Sequence, residues 1–359
     1  MKEEIDVNKN KSPRLKTSVG GAGSFIQKYS VIIAWVVVIA AFTIGSGDLF
    51  FNFNTLSLIT GTRSVVVILA LAIMIPLTAG DYDMSSGFTM TLANMITVFL
   101  AVEMGWNVWQ SAIIAILVGL LVGAVNGIFV VKIGIDPFIV TMGVGTFLAG
   151  VTLWISNKTL SGTELAPLQH VSIGKLFNIQ YIFFYCFILM LILWYIFEHT
   201  SAGKKILFIG HGKEVARLSG IKVGKVRWIC LMASSTLSAF AGVMYSGVTG
   251  SARSGSCNDF MMPAFAAAFL GSTFIKPGRF NPVGTFIAVY FLETGIRGLS
   301  LLGFSTYVQN LFYGAALVLA VALSAIMKKR SLKADKAKKI AALAADDACS
   351  QGENVPDKA

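Results

Sequence analysis

Apolar residues in this chain come in long blocks separated by short polar segments. Tyr29 to Gly47 and Ser64 to Gly80, for example, contain no charged residue. A hydrocarbon core of about 30 Å takes about 20 apolar residues per helix. That ruler predicts ten membrane spans, at about 29–47, 63–80, 85–102, 108–131, 137–156, 180–197, 228–248, 260–274, 282–299 and 305–327. The expected fold is an all-α polytopic membrane protein. The eighth block is short, so it reads either as a span or as a broken or re-entrant helix, which would leave nine. Spans 2–5 and 7–10 are offset by five, an odd number, so equivalent helices would cross in opposite directions, as in an inverted repeat.

Composition agrees: 55% of the 359 residues are hydrophobic, 13% are charged and the mean hydropathy is +0.73. No soluble domain class matches these values. The first block follows a basic segment and admits a cleaved signal peptide. It is longer than an ordinary signal core and further spans follow it, which favours an uncleaved first helix. The expected organisation is a tail at 1–28, a membrane domain at 29–327 with a polar loop at about 198–228, and a second tail at 328–359.

Lys and Arg are distributed unevenly. Residues 1–28 hold six, the loop from Glu198 to Trp228 seven and the chain after Met327 eight. Because positively charged short loops stay in the cytoplasm, all three regions are expected inside, and ten spans satisfy that parity. Lys158, Lys175 and Arg253 are the basic residues of the loops assigned outside. The net charge of +11 is then topological, and a nucleic-acid partner loses its main support. The expected location is a cell membrane, with both termini cytoplasmic.

Candidate chemistry is sparse. Cys186, Cys230, Cys257 and Cys349 share no C-x-x-C spacing and His170, His199 and His211 are scattered, so no metal or other cofactor is expected. A phosphate-cradling loop needs G-x-x-x-x-G-K-[ST]; "GIKVGKV" at Gly220–Val226 is one residue short and ends in Val. "GVGTFLAG" at Gly143–Gly150 and the repeat Gly119, Gly123, Gly127 read as small-residue packing stripes. Asn126 lies in the second stripe and is expected to bond to another helix. Asp136 before Pro137 reads as a helix cap.

Ionisable groups at membrane depth are expensive and tend to be functional. In "AGDYDMSSG", Ala79–Gly87, a capping role accounts for Asp83 through the N–H groups near Ser85 and Ser86. It does not account for two acids, Asp81 and Asp83, flanking a tyrosine. Glu293 and Arg297 are spaced i, i+4 with the acid first, the favourable order for a helical ion pair. A substrate or ion contact is the other reading of that pair. Between Gly212 and Gly220, Val215 and Leu218 share one face of a two-turn helix, and Glu214 with Arg217 can face a partner. A helix this short is unstable alone, so it needs a surface to dock on, either lipid headgroups or a protein.

Four stretches together resemble the ribose-type permeases of ATP-binding-cassette importers, in the branched-chain amino acid and ribose permease superfamily. They are "TAGDYDMSSG", "DPFIVTMGVGTFLAGV", "GHGKEVARLSGI" and "MMPAFAAAFLGSTFIKPGRFNPVGT". They occur in the family's order across about 60–330. Asp81 stands where the family has Gly, Met84 replaces Leu, His211 stands near the usual Asn, and "IKPGRF" replaces a glycine-richer turn.

The resemblance implies a non-catalytic permease subunit of a bacterial cell membrane, forming the path of a monosaccharide. An extracellular or periplasmic binding protein would deliver the sugar, and separate cytoplasmic ATPases would drive transport. A second permease copy or a sister permease would complete the membrane part, surrounded by lipid. Gly210, Gly212, Glu214, Val215, Ala216, Arg217, Leu218, Ser219 and Gly220 would form the coupling helix that meets the ATPase. Asp81, Asp83, Ser85, Asn126, Glu293 and Arg297 are candidates for the path or for structural polar contacts. Arg253 and Asp259, in "TGSARSGSCNDF", would face the binding protein together with residues 157–179. An ion-driven secondary transporter and a permease for another small polar solute stay open as alternatives, whereas no nucleophile, base or metal cluster suggests an enzyme.

Overall fold

A computed structural model describes residues 21–46, 50, 57, 59–61, 63–305 and 307–326. The tail at 328–359 and residues 1–20 of the first tail lie outside the described residues. The chain is mostly helical. Helices α1 (Gly21–Ser46), α2 (Ser64–Thr78), α3 (Ser86–Val98), α4 (Val108–Gly127) and α5 (Pro137–Ile155) correspond to the first five blocks. Widened π turns extend α3 through Glu103 and α4 through Ile133. A short helix α6 (Ala166–Ile173) precedes α7 (Tyr181–His199), α8 (Ser201–His211) and α9 (Lys213–Leu218). Then come α10 (Val223–Thr249), α11 (Met261–Gly271), α12 (Pro282–Leu301) and α13 (Tyr307–Ile326).

Among the described residues, six helices, at Ser86–Glu103, Val108–Ile133, Pro137–Ile155, Tyr181–His199, Val223–Thr249 and Tyr307–Ile326, are long and apolar enough to cross a membrane. The stretches Val31–Gly45 and Ser64–Thr78 are apolar but shorter. Of the two readings of the eighth block, the short helix α11 fits the broken one. At 1.5 Å per residue the 11 residues of α11 reach about 16 Å, half a hydrocarbon core. The chain before α11 is a short strand and turns. Asn94 of α3 donates from Nδ2 to the Ser251 carbonyl of this irregular backbone at 3.2 Å and to the Ser246 Oγ of α10 at 2.9 Å.

Helix α10 is the hub, packed against α2, α3 and α4. The glycine stripe explains its contact with α4. A Cβ on Gly119 would run into Ala239, and one on Gly127 into the Trp228 ring. In "GVGTFLAG" only Gly145 is a packing position, against Phe88, while Gly143 and Gly150 meet nothing within 4 Å. Helix α2 is enclosed on all sides, all fifteen of its residues being buried.

The interhelical turns gather at two ends. At one, Asp81 contacts Lys213 and Arg227, Thr141 contacts Tyr82, and Glu198 contacts Arg279. At the other, Leu160–Ser161 pairs with Ser251–Ala252 in a two-stranded antiparallel sheet.

Candidate functional site

The short helix between the glycines exists as α9. Its exit is a left-handed cap: Gly220 has φ +79, its N–H bonds to the Arg217 carbonyl, and the Ile221 N–H bonds to the Ala216 carbonyl. Both bonds satisfy carbonyls left over at the helix end, and glycine is the residue that takes this conformation without strain. The entrance is different. Gly212 has φ 179, extended backbone open to any residue. Gly210 is the sterically demanding glycine, because a Cβ there would collide with the Thr78 carbonyl oxygen at the end of α2.

On α9, Ala216 is fully buried while Val215 and Leu218 are 59% and 82% exposed. A buried alanine therefore seats the helix and two apolar side chains point away from the protein. Ser219 Oγ donates back to the Val215 carbonyl. Glu214 and Arg217 pair with each other at 2.9 Å, both largely exposed, rather than with anything in this chain's core.

Beneath α9 lies Asp81, whose side chain has no solvent exposure. Arg227 of α10 grips it with two nitrogens, Nε to Oδ2 at 2.6 Å and Nη2 to Oδ1 at 2.8 Å. Lys213, the first residue of α9, adds Nζ to Oδ1 at 2.9 Å. Neither cation is legible as a partner from sequence: both belong to the basic loop whose charge reads as topological, more than 130 residues from Asp81. Buried charges persist when paired and hydrogen-bonded, and that pairing accounts for the acid that capping left unexplained.

Two residues on, Asp83 is also buried. As expected it braces the start of α3, accepting from Ser85 N at 3.0 Å and Ser85 Oγ at 2.6 Å. Its other oxygen accepts from Ser234 of α10 at 2.7 Å. Asn126 reaches across from α4 to donate to Ser85 Oγ at 2.8 Å, as the stripe position suggests. Thr141 of α5 completes the corner, accepting from Met84 N at 2.9 Å. The cap at Asp136 is present too, with the carboxylate accepting from Phe138 N.

The expected Glu293–Arg297 ion pair does not form. Glu293 turns instead to Arg63 of the α2 entrance at 3.3 Å and accepts from the Tyr313 hydroxyl of α13 at 2.7 Å. Tertiary partners outcompete the i, i+4 neighbour here, since local helical pairs contribute only about 0.2–0.5 kcal/mol. Arg297, with no hydrogen-bond partner for Nε among the described residues, lines a cavity of about 220 Å³ with Arg63, Glu293 and Gln309.

Arg253 and Asp259 are exposed in the segment that pairs through Ala252 with Leu160. The loop after α5 and the loop after α10 are thus brought to one end, together.

A family model described as "Branched-chain amino acid transport system / permease component" matches residues 55–321. The ribose import permease protein of Escherichia coli (strain K12) is 29% identical over 302 residues, 83% of this chain and 94% of that protein. The D-allose transport system permease protein of the same strain is 27% identical over 306 residues, 85% and 94% of the two chains. The autoinducer 2 import system permease protein of Photorhabdus luminescens is 26% identical over 277 residues, 75% and 83%. No solved structure matches.

Proposed function

We propose, for a chain that belongs to the permease-component family of branched-chain amino acid transport systems, that it is the membrane subunit of an ATP-driven importer of a monosaccharide. Relatives whose names specify ribose and allose support the sugar class. In this reading a separate ATPase supplies energy from the cytoplasm. A binding protein delivers the sugar from outside, and a second permease, the same or a sister chain, completes the path.

The observation that carries the mechanism is α9. It presents Val215 and Leu218 outward at the end expected in the cytoplasm from its Lys and Arg content. Fully burying an apolar side chain of that size contributes about 1.5–3 kcal/mol, enough for two such anchors to dock the helix on a partner. The ATPase is that partner. Asp81, Asp83, Ser85 and Asn126 then belong to the inner end of the path. Glu293 and Arg297 belong to its outer half, and Arg253 and Asp259 to the surface that receives the binding protein. Ten crossings, the eighth made of irregular chain plus α11, put both termini in the cytoplasm. An inverted repeat of spans 2–5 and 7–10 goes with that count.

Uptake in proteoliposomes tests the reading. Labelled D-ribose or D-allose should accumulate only when the permease is joined by its ATPase and binding protein and ATP is present on the ATPase side. Accumulation on an ion gradient alone would replace this reading with secondary transport.

A further inference from the structure

Resting on the coupling role of α9 just proposed, we infer that the corner Gly80–Ser85 is the mechanical link between that helix and the membrane bundle. Asp81 receives the movement of α9 and Asp83 hands it to α4 and α10. The bonds form one unbroken chain. Lys213 of α9 holds Asp81 at 2.9 Å, and Asp81 N donates to the Pro76 carbonyl in the last turn of α2 at 3.0 Å. Asp83, two residues on, holds Ser234 of α10 and Ser85, and Ser85 holds Asn126 of α4. Thr141 of α5 fixes the backbone between the two acids, donating to the Tyr82 carbonyl at 3.2 Å and accepting from Met84 N. Helices α2, α4, α5, α9 and α10 are therefore joined through a few consecutive residues.

The two cations on Asp81 have different duties. Arg227 is bidentate and its side chain is only 16% exposed, so its planar fork fixes the carboxylate on α10. Lys213 makes a single bond to that carboxylate and is 41% exposed. It exchanges with water readily, and it sits on the element that moves. The geometry makes Arg227 the permanent anchor and Lys213 the contact that loosens and re-forms as α9 shifts. The link depends on the Asp81 carboxylate, since a residue without a side-chain acceptor at this position would make neither bond.

The test uses proteoliposomes holding the complete importer, with labelled D-ribose taken up per ATP hydrolysed as the readout. Lys213→Met removes the moving contact while Arg227 still neutralises Asp81, so the fold is kept. The ratio should fall by at least about fivefold, the lower end of ordinary coupling energies, with the ATPase still co-purifying. Lys213→Arg should restore it, and Asp81→Asn should reproduce the loss. A packing role alone would lower the amount of protein and leave the ratio unmoved. A smaller fall with Lys213→Met, or loss of the ATPase from that complex, would overturn the link. Wild-type importer that takes up ribose without ATP would overturn the functional reading, and the link with it.

Discussion

Gly123 of α4 lies so close to Met232 of α10 that a Cβ added to it would sit 2.6 Å from the methionine's Cα. Neither backbone can retreat, because α10 also packs on α2 and α3. Gly123→Val should destabilise the protein by about 1–3 kcal/mol, the ordinary cost of overpacking, and lower the thermal midpoint in detergent. Gly143→Ala, where nothing lies within 4 Å, should not lower that midpoint, since alanine is the better helix former.

The exposed face of α9 gives a second expectation. Leu218→Asp should abolish sugar uptake and co-purification of the ATPase while the permease inserts normally, because Leu218 is 82% exposed and supports nothing in this chain. Glu214→Ala should only weaken coupling, since exposed ion pairs such as Glu214–Arg217 contribute little. Pull-down of the ATPase with each variant checks both. An intact, active complex carrying Leu218→Asp would assign α9 to the lipid surface instead.

Glu293 makes its bonds to Arg63 and Tyr313, so Arg297 and Arg63 should not be equivalent. Arg63→Met removes a bond to a buried carboxylate and should cost about 1.5–3 kcal/mol, the range for hydrogen bonds to charged groups. Arg297→Met should cost much less. Thermal unfolding of the two variants side by side distinguishes them, and equal losses would restore the helical pair as the relevant contact.

At the opposite end, Arg253→Glu should weaken binding of the loaded binding protein about tenfold, or ~1.4 kcal/mol, and leave the ATPase attached. Titration of the binding protein onto nanodisc-embedded permease measures it.

Features set by local spacing were legible in the sequence. Apolar block length located the helices, the four-residue glycine repeat located the α4 stripe, and Gly220 located the exit of α9. Features set by distant partners were not. Nothing in the neighbourhood of Asp81 names Arg227, and nothing near Glu293 names Tyr313, because a contact between segments leaves no periodic trace. Asn94 passed unnoticed for the same reason: one amide in an apolar block gains meaning only when Ser251 is placed beside it. Block length left the eighth span open between a full span and a broken helix, because a short apolar run does not say whether the polar chain before it continues the crossing.

The enclosure of α2 separates the order in which helices are made from the order in which they are covered. This helix leaves the ribosome well before α10, α11 and α12, which pack on it. It can wait in lipid at little cost, because lipid tails are as apolar as leucine and its terminal hydroxyls are already satisfied, Ser64 by the Thr60 carbonyl and Thr78 by the Met74 carbonyl. A nascent chain arrested before α10 would therefore hold α2 as a stable, lipid-facing helix, and the late helices would displace lipid from it as they arrive.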